Sequence, residues 1–300
     1  MPELPEVEVV RRGLESHLCG ATFTTVAVQH PRAVRSQVGG AEELSFLLDA
    51  SRVDAVHRRG KYLWLELSAG DKRRALLVHL GMSGQMLVTK KPAQADTLLA
   101  TVADPHVRIR ATLQPPAGGA ESIELNFVDQ RTFGGWQVVD LVADPHEQFA
   151  AIPAPIAHIA QDLLEPGFDV QKIGRAMRAK RTEIKRALLD QNLVSGIGNI
   201  YADEALWAAQ LRPTRRTRGL QQGEAIRLLT AAQDVMVRAL DAGGTSFDAL
   251  YVNVEGQSGY FGRALNVYGR QGQECPRCGG TIQRTKFTNR SSHWCPGCQK

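Results

Sequence analysis

Met1-Pro2-Glu3-Leu4-Pro5-Glu6-Val7-Glu8 opens the chain and carries two readings at once. The first is architectural. Pro5 sits where a first helical turn tolerates proline, acids share that turn, and Leu4, Val7, Val10 and Leu14 follow at helical spacing, so a helix with one apolar face begins here. The second is chemical. Removal of Met1 makes Pro2 the N-terminus, with a secondary amine whose ordinary pKa of about 8 leaves a useful neutral fraction near pH 7. A secondary amine that attacks a sugar carbon cannot stop at a neutral imine; it gives a cationic iminium, an electron sink that makes elimination easy. Glu3 and Glu6 follow at once, near enough in sequence to give or take protons.

Beyond this helix the period changes to two. Segments 22–29, 75–80 and 136–141, with alternating Leu63, Leu65 and Leu67, then Val107, Ile109, Ala111 and Leu113, then Ile123, Leu125 and Phe127, predict about eight short strands in a sandwich or flattened barrel. From Asp169 the period is 3.6, predicting helices near 169–180, 182–191, 199–209 and 221–242, ending at Gly243-Gly244. Segment 251–268 reads as strand and loop, and 281–286 with 292–294 as a hairpin. The fold class is α+β, divided at 1–150, 151–262 and 263–300.

The 300 residues are 43% hydrophobic and 22% charged, as in a soluble globular protein, without a long apolar run or a basic, apolar N-terminus. A cytoplasmic location is the expectation. Net charge is +5, unevenly placed: 172–218 holds eleven Lys/Arg against four Asp/Glu, and 263–300 holds seven against Glu274 alone. A basic C-terminal half suits a polyanion such as nucleic acid; a solvated basic surface is the plainer alternative.

Four of the five cysteines form Cys275-Pro-Arg-Cys278 and Cys295-Pro-Gly-Cys298, a C-x2-C-x16-C-x2-C pattern. Two such turns bring four thiolates to one tetrahedral zinc ion, and a closed four-thiolate site is structural; disulfides are the weaker alternative. Cys19 reads as a small buried hydrophobe on the first helix.

Several short stretches could grip an anion or a base. His57-Arg58-Arg59-Gly60-Lys61-Tyr62 offers Lys61 as a phosphate clamp or proton source, unless it is an edge strand guarded by charge. His79-Leu80-Gly81-Met82-Ser83-Gly84 would push Met82 outward, against the alternative of a buried methionine. Asp129-Gln130-Arg131-Thr132-Phe133-Gly134-Gly135 could present Phe133 as a wedge and Arg131 to a base edge, unless Phe133 is tucked into the core. Gly196-Ile197-Gly198-Asn199 before a helix suits a phosphate, and Arg290 at the hairpin tip could enter a groove.

With these residues assembled, the chain resembles the bacterial formamidopyrimidine-DNA glycosylases nearly end to end. The marks are PELPEVE, RRGKYL, HLGMSG, D-x-R-x-F-G, GIGNIYADEAL, YGRQG and the four-cysteine pattern. The resemblance implies an N-terminal helix on a two-layer β-sandwich, then a helix–two-turns–helix domain with a C-terminal zinc-finger β-hairpin, and double-stranded DNA bent in the cleft with the damaged nucleotide flipped out. It implies Pro2 as nucleophile at C1′, Glu3 as general acid/base, and Lys61 in the later elimination. Lys61, His79, Asn199 and Arg290 would pinch the flanking phosphates, while Met82, Arg131 and Phe133 fill the emptied stack. Glu6 is carried over as a base-pocket contact or a support for the N-terminus. The implied protein is a monomeric glycosylase and AP lyase acting on oxidised purines, needing one structural zinc, no small-molecule cofactor and no membrane.

Two departures stand out: Asp248, in a loop at 245–251 where some members carry a basic residue, and Thr132, where some carry a second arginine. A relative of the endonuclease VIII type, preferring oxidised pyrimidines, and a non-catalytic damage sensor are the rival readings. Leu4-Pro5 and the Arg131–Phe133 loop argue against the first, the intact Pro2–Glu3 pair against the second.

Overall fold

The computed structural model describes residues 2–92, 105–116, 121–244, 253–257, 259 and 261–300. Helix α1 runs Leu4–Leu18, with Pro5 in its opening positions and the Glu6 carboxylate accepting the Glu3 N–H at 2.9 Å. Its apolar stripe is divided between two cores. Val7, Val10, Leu14 and Leu18 join the cluster inside the sheet, whereas Leu4 is buried among the C-terminal helices. The chain therefore begins in one half of the molecule and is anchored in the other. Cys19 corrects an expectation: it caps α1 and is exposed, because Leu18 takes the last inward position of the stripe.

Strands β1 (Thr22–Val28), β2 (Arg52–Arg59), β3 (Tyr62–Ala69), β4 (Lys72–His79), β5 (Gly84–Pro92), β6 (Val107–Gln114), β7 (Glu121–Asp129) and β8 (Gly135–Val139) form one antiparallel sheet, ordered β5-β7-β6-β1-β2-β3-β4-β8. The ends of the sheet fold toward each other: Phe127 of β7 and Trp136 of β8 lie 6.1 Å apart by ring centroids, in a single core. That gives the two layers of a sandwich, with α1 packed on β2, β3 and β5. β2 and β3 are interior strands, so Arg58 and Arg59 guard no edge. One further helix, α2 (Gly40–Leu48), interrupts the strand series where strand alternation gave no sign of it; only Leu44 and Leu48 are buried. A small ribbon, β9 (Leu141–Val142) with β10 (Ile152–Pro153), leads away from the sheet.

The second half contains α3 (Val170–Ala179), α4 (Ile184–Leu188), α5 (Asn199–Ala208) and α6 (Gln222–Asp241), around their own apolar cluster. These match the expected helices except that α4 is shorter. Its carbonyl ladder gives way to a turn in which the Asp190 carboxylate accepts the Asn192 N–H at 3.0 Å. Among the described residues of 251–268 there is no strand, only a short 3-10 helix at Phe261–Ala264; the alternation there is loop. Val254 returns to the sheet core, and the Val88 N–H donates to its carbonyl at 2.8 Å. Strands β11 (Gln283–Phe287) and β12 (Arg290–Trp294) close the chain as the expected hairpin. No described helix is long and apolar enough to cross a membrane.

Candidate active site

The start of the chain lies on residues 196–201. The Leu4 N–H donates to the Gly196 carbonyl at 3.1 Å. The Glu3 carboxylate accepts the N–H groups of Gly198 at 2.6 Å, Ile200 at 2.9 Å and Tyr201 at 3.3 Å. Those are the otherwise unpaired donors at the N-terminus of α5, so Glu3 holds the place proposed for a phosphate. Both glycines are needed for this approach. A Cβ on Gly196, whose φ is +87°, would meet Leu4 Cδ1 at 2.6 Å, and one on Gly198 would overlap the Glu3 carboxyl carbon. The Gly-x-Gly-Asn stretch is thus a seat for the N-terminus, which its sequence does not disclose.

Lys61 joins the same seat. Its ammonium, buried in the turn between β2 and β3, donates to the Ile197 carbonyl at 2.9 Å. Burial lowers its pKa, with the Glu3 charge opposing and Arg290 adding to the fall. Burial conversely raises the Glu3 pKa; Lys61 and the Ile200 N–H hold it down, and the Glu6 charge pushes it up. Tyr201 Oη donates to Glu6 Oε1 at 2.7 Å, while Glu6 Oε2 holds the Glu3 N–H. Pro2 is buried beside them. A prolyl nitrogen that removal of Met1 would turn into a secondary amine, an acid whose pKa burial raises and an ammonium whose pKa burial lowers are components that iminium and elimination chemistry would use.

Arg58 and Arg59 supply what the sequence reading missed. Neighbours on a strand face opposite ways, yet both are buried, and each carries its own carboxylates. Arg58 pairs with Asp162 at 2.6 Å and with Glu8 at 2.9 Å; burial works against its charge, and these acids more than offset it. Arg59 takes Asp144 at 2.7 Å and Glu165 at 3.0 Å. Asp162 Oδ2 also accepts the Gly60 N–H at 2.9 Å, next to Lys61. The segment joining sheet to helices is therefore tied to the turn that presents Lys61. Two adjacent arginines before Gly-Lys were the available signal, but nothing local named their partners.

A cleft of about 870 Å³ opens between the halves, lined by Lys61, Tyr62, His79, Arg181, Arg186 and Arg290 among others. Burial lowers the His79 pKa to about 4, helped by Lys61 and Arg35, so its ring is neutral near pH 7. The Gly81 N–H donates to His79 Nδ1 at 3.2 Å, which leaves the ring proton on Nε2 for an anionic oxygen. Arg290 is exposed at the first position of β12.

Met82, Arg131 and Phe133 sit on two loops that pack together, Gly81 lying against the backbone of Phe133 and Gly134. The buried Asp129 carboxylate builds the second loop: it accepts from Ser83 Oγ, from the Arg131 N–H at 3.1 Å and from the Gly134 N–H at 2.8 Å. Arg35 closes it on the Phe133 carbonyl at 2.8 Å and the Gly134 carbonyl at 2.9 Å. Phe133 is consequently 40% exposed, with the Arg131 guanidinium 5.2 Å from its ring centre; it is not a core residue. Met82 is half-buried. Thr132, at φ +54°, turns inward. Residues 245–252, including Asp248, lie outside the described residues.

Asn199 faces the hairpin, its Nδ2 donating to the Ser291 carbonyl at 3.0 Å, one residue from Arg290. The next turn of α5 fixes the hairpin further. Asp203 pairs with buried Lys185 at 2.6 Å and accepts from Ser292 Oγ and the His293 N–H, each at 2.8 Å. Glu204 accepts the N–H groups of Asn266, Val267 and Tyr268 at 2.9, 2.8 and 2.9 Å.

The sulfurs of Cys275, Cys278, Cys295 and Cys298 all lie within 4.8 Å of one another. Cys275 and Cys298 are 3.8 Å apart, Cys278 and Cys295 3.4 Å. A zinc–sulfur bond of about 2.3 Å requires tetrahedral edges of about 3.8 Å, so the donor set fits one structural zinc ion. Trp207 Nε1 of α5 donates to Cys275 Sγ at 3.3 Å, steadying the site from outside.

Comparison with known proteins agrees along the whole chain. Family models match in three places: the formamidopyrimidine-DNA glycosylase N-terminal domain over 1–136, the H2TH domain of the same glycosylases over 159–250, and the zinc finger found in FPG and IleRS over 272–300. The formamidopyrimidine-DNA glycosylase of Corynebacterium urealyticum is 59% identical, covering 100% of this chain and 99% of the relative. That of Mycobacterium ulcerans is 52% identical, covering 100% and 98%. The Lactococcus lactis Fpg bound to DNA containing an abasic site superposes with a TM-score of 0.80 at 30% identity, covering 99% of each chain. A variant of that enzyme bound to Fapy-dG DNA gives 0.81 at 30% identity over the full length of both chains.

Proposed function

The chain belongs to the formamidopyrimidine-DNA glycosylase family, and from that premise we propose that it excises oxidised purines from duplex DNA and then cleaves the strand as an AP lyase. The observation that carries the reading is the convergence of Glu3, Glu6 and Lys61 with buried Pro2 on residues 197–201, beside a cleft lined with cations.

The Pro2 nitrogen, freed by removal of Met1, forms a bond to C1′ as the glycosidic C1′–N bond breaks. The base departs with that electron pair and takes up a proton. Glu3, whose pKa burial raises, gives its proton to O4′ as the C1′–O4′ bond opens and the nitrogen sheds its own, leaving the iminium. Loss of a C2′ proton then drives expulsion of the 3′ phosphate oxygen, with Lys61 moving protons at this stage. A second elimination expels the 5′ phosphate, and water releases Pro2 from the iminium.

His79, Arg290, Asn199 and Lys61 hold the flanking phosphates, Met82, Arg131 and Phe133 occupy the vacated stack, and Glu6 supports the N-terminus. The sandwich of 1–150 carries the chemistry, 151–262 and the zinc hairpin of 263–300 grip the duplex, and the protein acts as a monomer in the cytoplasm. The zinc ion holds the hairpin in shape and takes no part in the reaction.

The test is a duplex carrying 8-oxoguanine opposite cytosine, borohydride, and mass spectrometry of the adduct. Attachment at Pro2 is expected; attachment elsewhere, or none despite tight binding, overturns the mechanism. One observation favours a broader lesion range: the Lactococcus lactis enzyme, at 29% identity and TM-score 0.80, has been solved with oxidised-pyrimidine DNA. A dihydrothymine duplex in the same assay separates the two, faster release of dihydrothymine assigning this chain to the pyrimidine-preferring type.

A further inference from the structure

Tyr201 is fully buried in the first turns of α5, its ring stacked on Phe261 with centroids 6.3 Å apart and planes 22° from parallel. Packing alone would be served by a phenylalanine. The hydroxyl is the feature that needs a reason, because burying one is favourable only when it is bonded. Here it donates to Glu6 Oε1 at 2.7 Å, and the other oxygen of that carboxylate accepts the Glu3 N–H at 2.9 Å. That N–H belongs to the peptide bond formed by the Pro2 carbonyl. Fixing its plane fixes the axis of the Pro2 Cα–C bond and the place of the Cα that carries the Pro2 nitrogen, and burial of the Pro2 ring limits the rotation that is left. Tyr201 also donates its own backbone N–H to the Glu3 carboxylate at 3.3 Å. A single residue of the helical half thus reaches both acids of the N-terminal turn.

We infer that the Tyr201 hydroxyl is a positioning group for the reacting amine, acting through Glu6 on the Pro2–Glu3 peptide. The inference rests on the glycosylase reading above, with Pro2 as nucleophile. Tyr201 touches no reacting atom. Its contribution is to hold Glu6 in the one orientation that bonds the Glu3 N–H, so that the amine waits in its attacking geometry instead of sampling others.

The test is Tyr201→Phe, which removes one oxygen and keeps the stacked ring. An abasic duplex is the substrate, since without a base any contact of Glu6 in the base pocket drops out. At saturating enzyme, the single-turnover rate of borohydride-trapped adduct should fall about tenfold or more, the loss expected for a charge-assisted hydrogen bond that sets geometry. Binding of the duplex should change less than about twofold, and the thermal unfolding temperature should fall only by the few degrees that one lost buried hydrogen bond costs, where a packing defect would lower both further. In a Glu6→Ala background, Tyr201→Phe should have no further effect, because its route is gone.

Wild-type adduct rates in Tyr201→Phe, or the same fold-loss with and without Glu6, would overturn the inference. Glu6→Ala by itself gives an independent measure, since it removes the acceptors of both donors. A comparable loss is expected, and a wild-type rate overturns the inference whatever the fate of the Tyr201 variant. No adduct with the unsubstituted protein overturns the glycosylase reading and this inference together. An active wild type with an equally active Tyr201→Phe overturns this inference alone.

Discussion

The carboxylate of Glu3 and the backbone N–H of Gly198 meet at 2.6 Å although 195 residues separate them along the chain. The acid nearest the proposed nucleophile is held by the helix dipole and orphan donors of the opposite half of the molecule. Sheet and helices therefore share the reacting group; neither half contains a finished site.

That relationship predicts the outcome of Gly198→Ala. The backbone there, at φ −123°, accepts alanine without strain, but the new methyl would overlap the Glu3 carboxyl. Base release from an 8-oxoguanine duplex should fall about 100-fold, while duplex affinity changes little, as when a group acting only in the transition state is misplaced. Quench-flow base release and a binding titration on the same protein check both halves of the statement.

Lys61→Gln should move the pH dependence of base release. Burial raises the Glu3 pKa and the Lys61 charge holds it down, so removing that charge lets it climb further. The protonated acid then persists to higher pH, and the alkaline limb of base release should shift upward. Strand cleavage should be lost separately, because the proposed elimination also uses Lys61. An unmoved limb would mean that Glu3 is not the titrating acid.

Glu165→Gln should flatten part of the pH dependence of stability. Burial raises the Glu165 pKa to about 7, Arg59 opposing and Asp162 adding to the rise. A folded-state pKa above the unfolded value near 4.5 means the folded protein binds the extra proton. The contribution is complete below about pH 4.5, is lost as pH rises through about 7, and amounts to at most about 3 kcal/mol. Urea unfolding at pH 5 and pH 8 should show wild type losing more stability than Glu165→Gln across that interval.

Phe133→Ala should leave the fold intact and damage lesion processing. The ring is 40% exposed, so its loss changes thermal unfolding by no more than about 2 °C. The backbone beneath it stays built by Asp129 and Arg35. On the proposed role of Phe133 as the wedge in the vacated stack, base release should slow by at least about tenfold, with cleavage of a preformed abasic site less affected.

Removing zinc with a chelator should release the hairpin and not the sandwich. The four thiolates hold β11 and β12, and Arg290 depends on that frame for its place in the cleft. Duplex binding should fall by about 100-fold or more while the β signal in circular dichroism is retained. Re-addition of zinc should restore both Asp203-anchored docking and affinity.

Much of this was legible in residues alone. The alternation in 107–113 and 123–127, the capped helix at the N-terminus and the paired C-x2-C turns each reflect a local rule, in which side-chain period or ligand spacing is decided within a few residues. The helices α3, α5 and α6 were readable for the same reason. Helix α2 was not, because a nine-residue helix with two buried leucines leaves almost no periodic trace. Cys19 was misread because one step past the end of a helix the apolar stripe no longer dictates the facing direction.

The sequence by itself determined which groups are present: a prolyl amine behind one cleavable methionine, two carboxylates beside it, four thiolates at zinc spacing, and loops able to present Met82 and Phe133. Tertiary structure decided where they act. It gave the α5 N-terminus to Glu3 in place of a phosphate, and buried Arg58 and Arg59 on carboxylates a hundred residues distant. It also set the Tyr201 hydroxyl on Glu6. The physical reason is that a charge or hydroxyl out of water must find a partner, and which partner is fixed by how two cores pack, not by any neighbour in the chain.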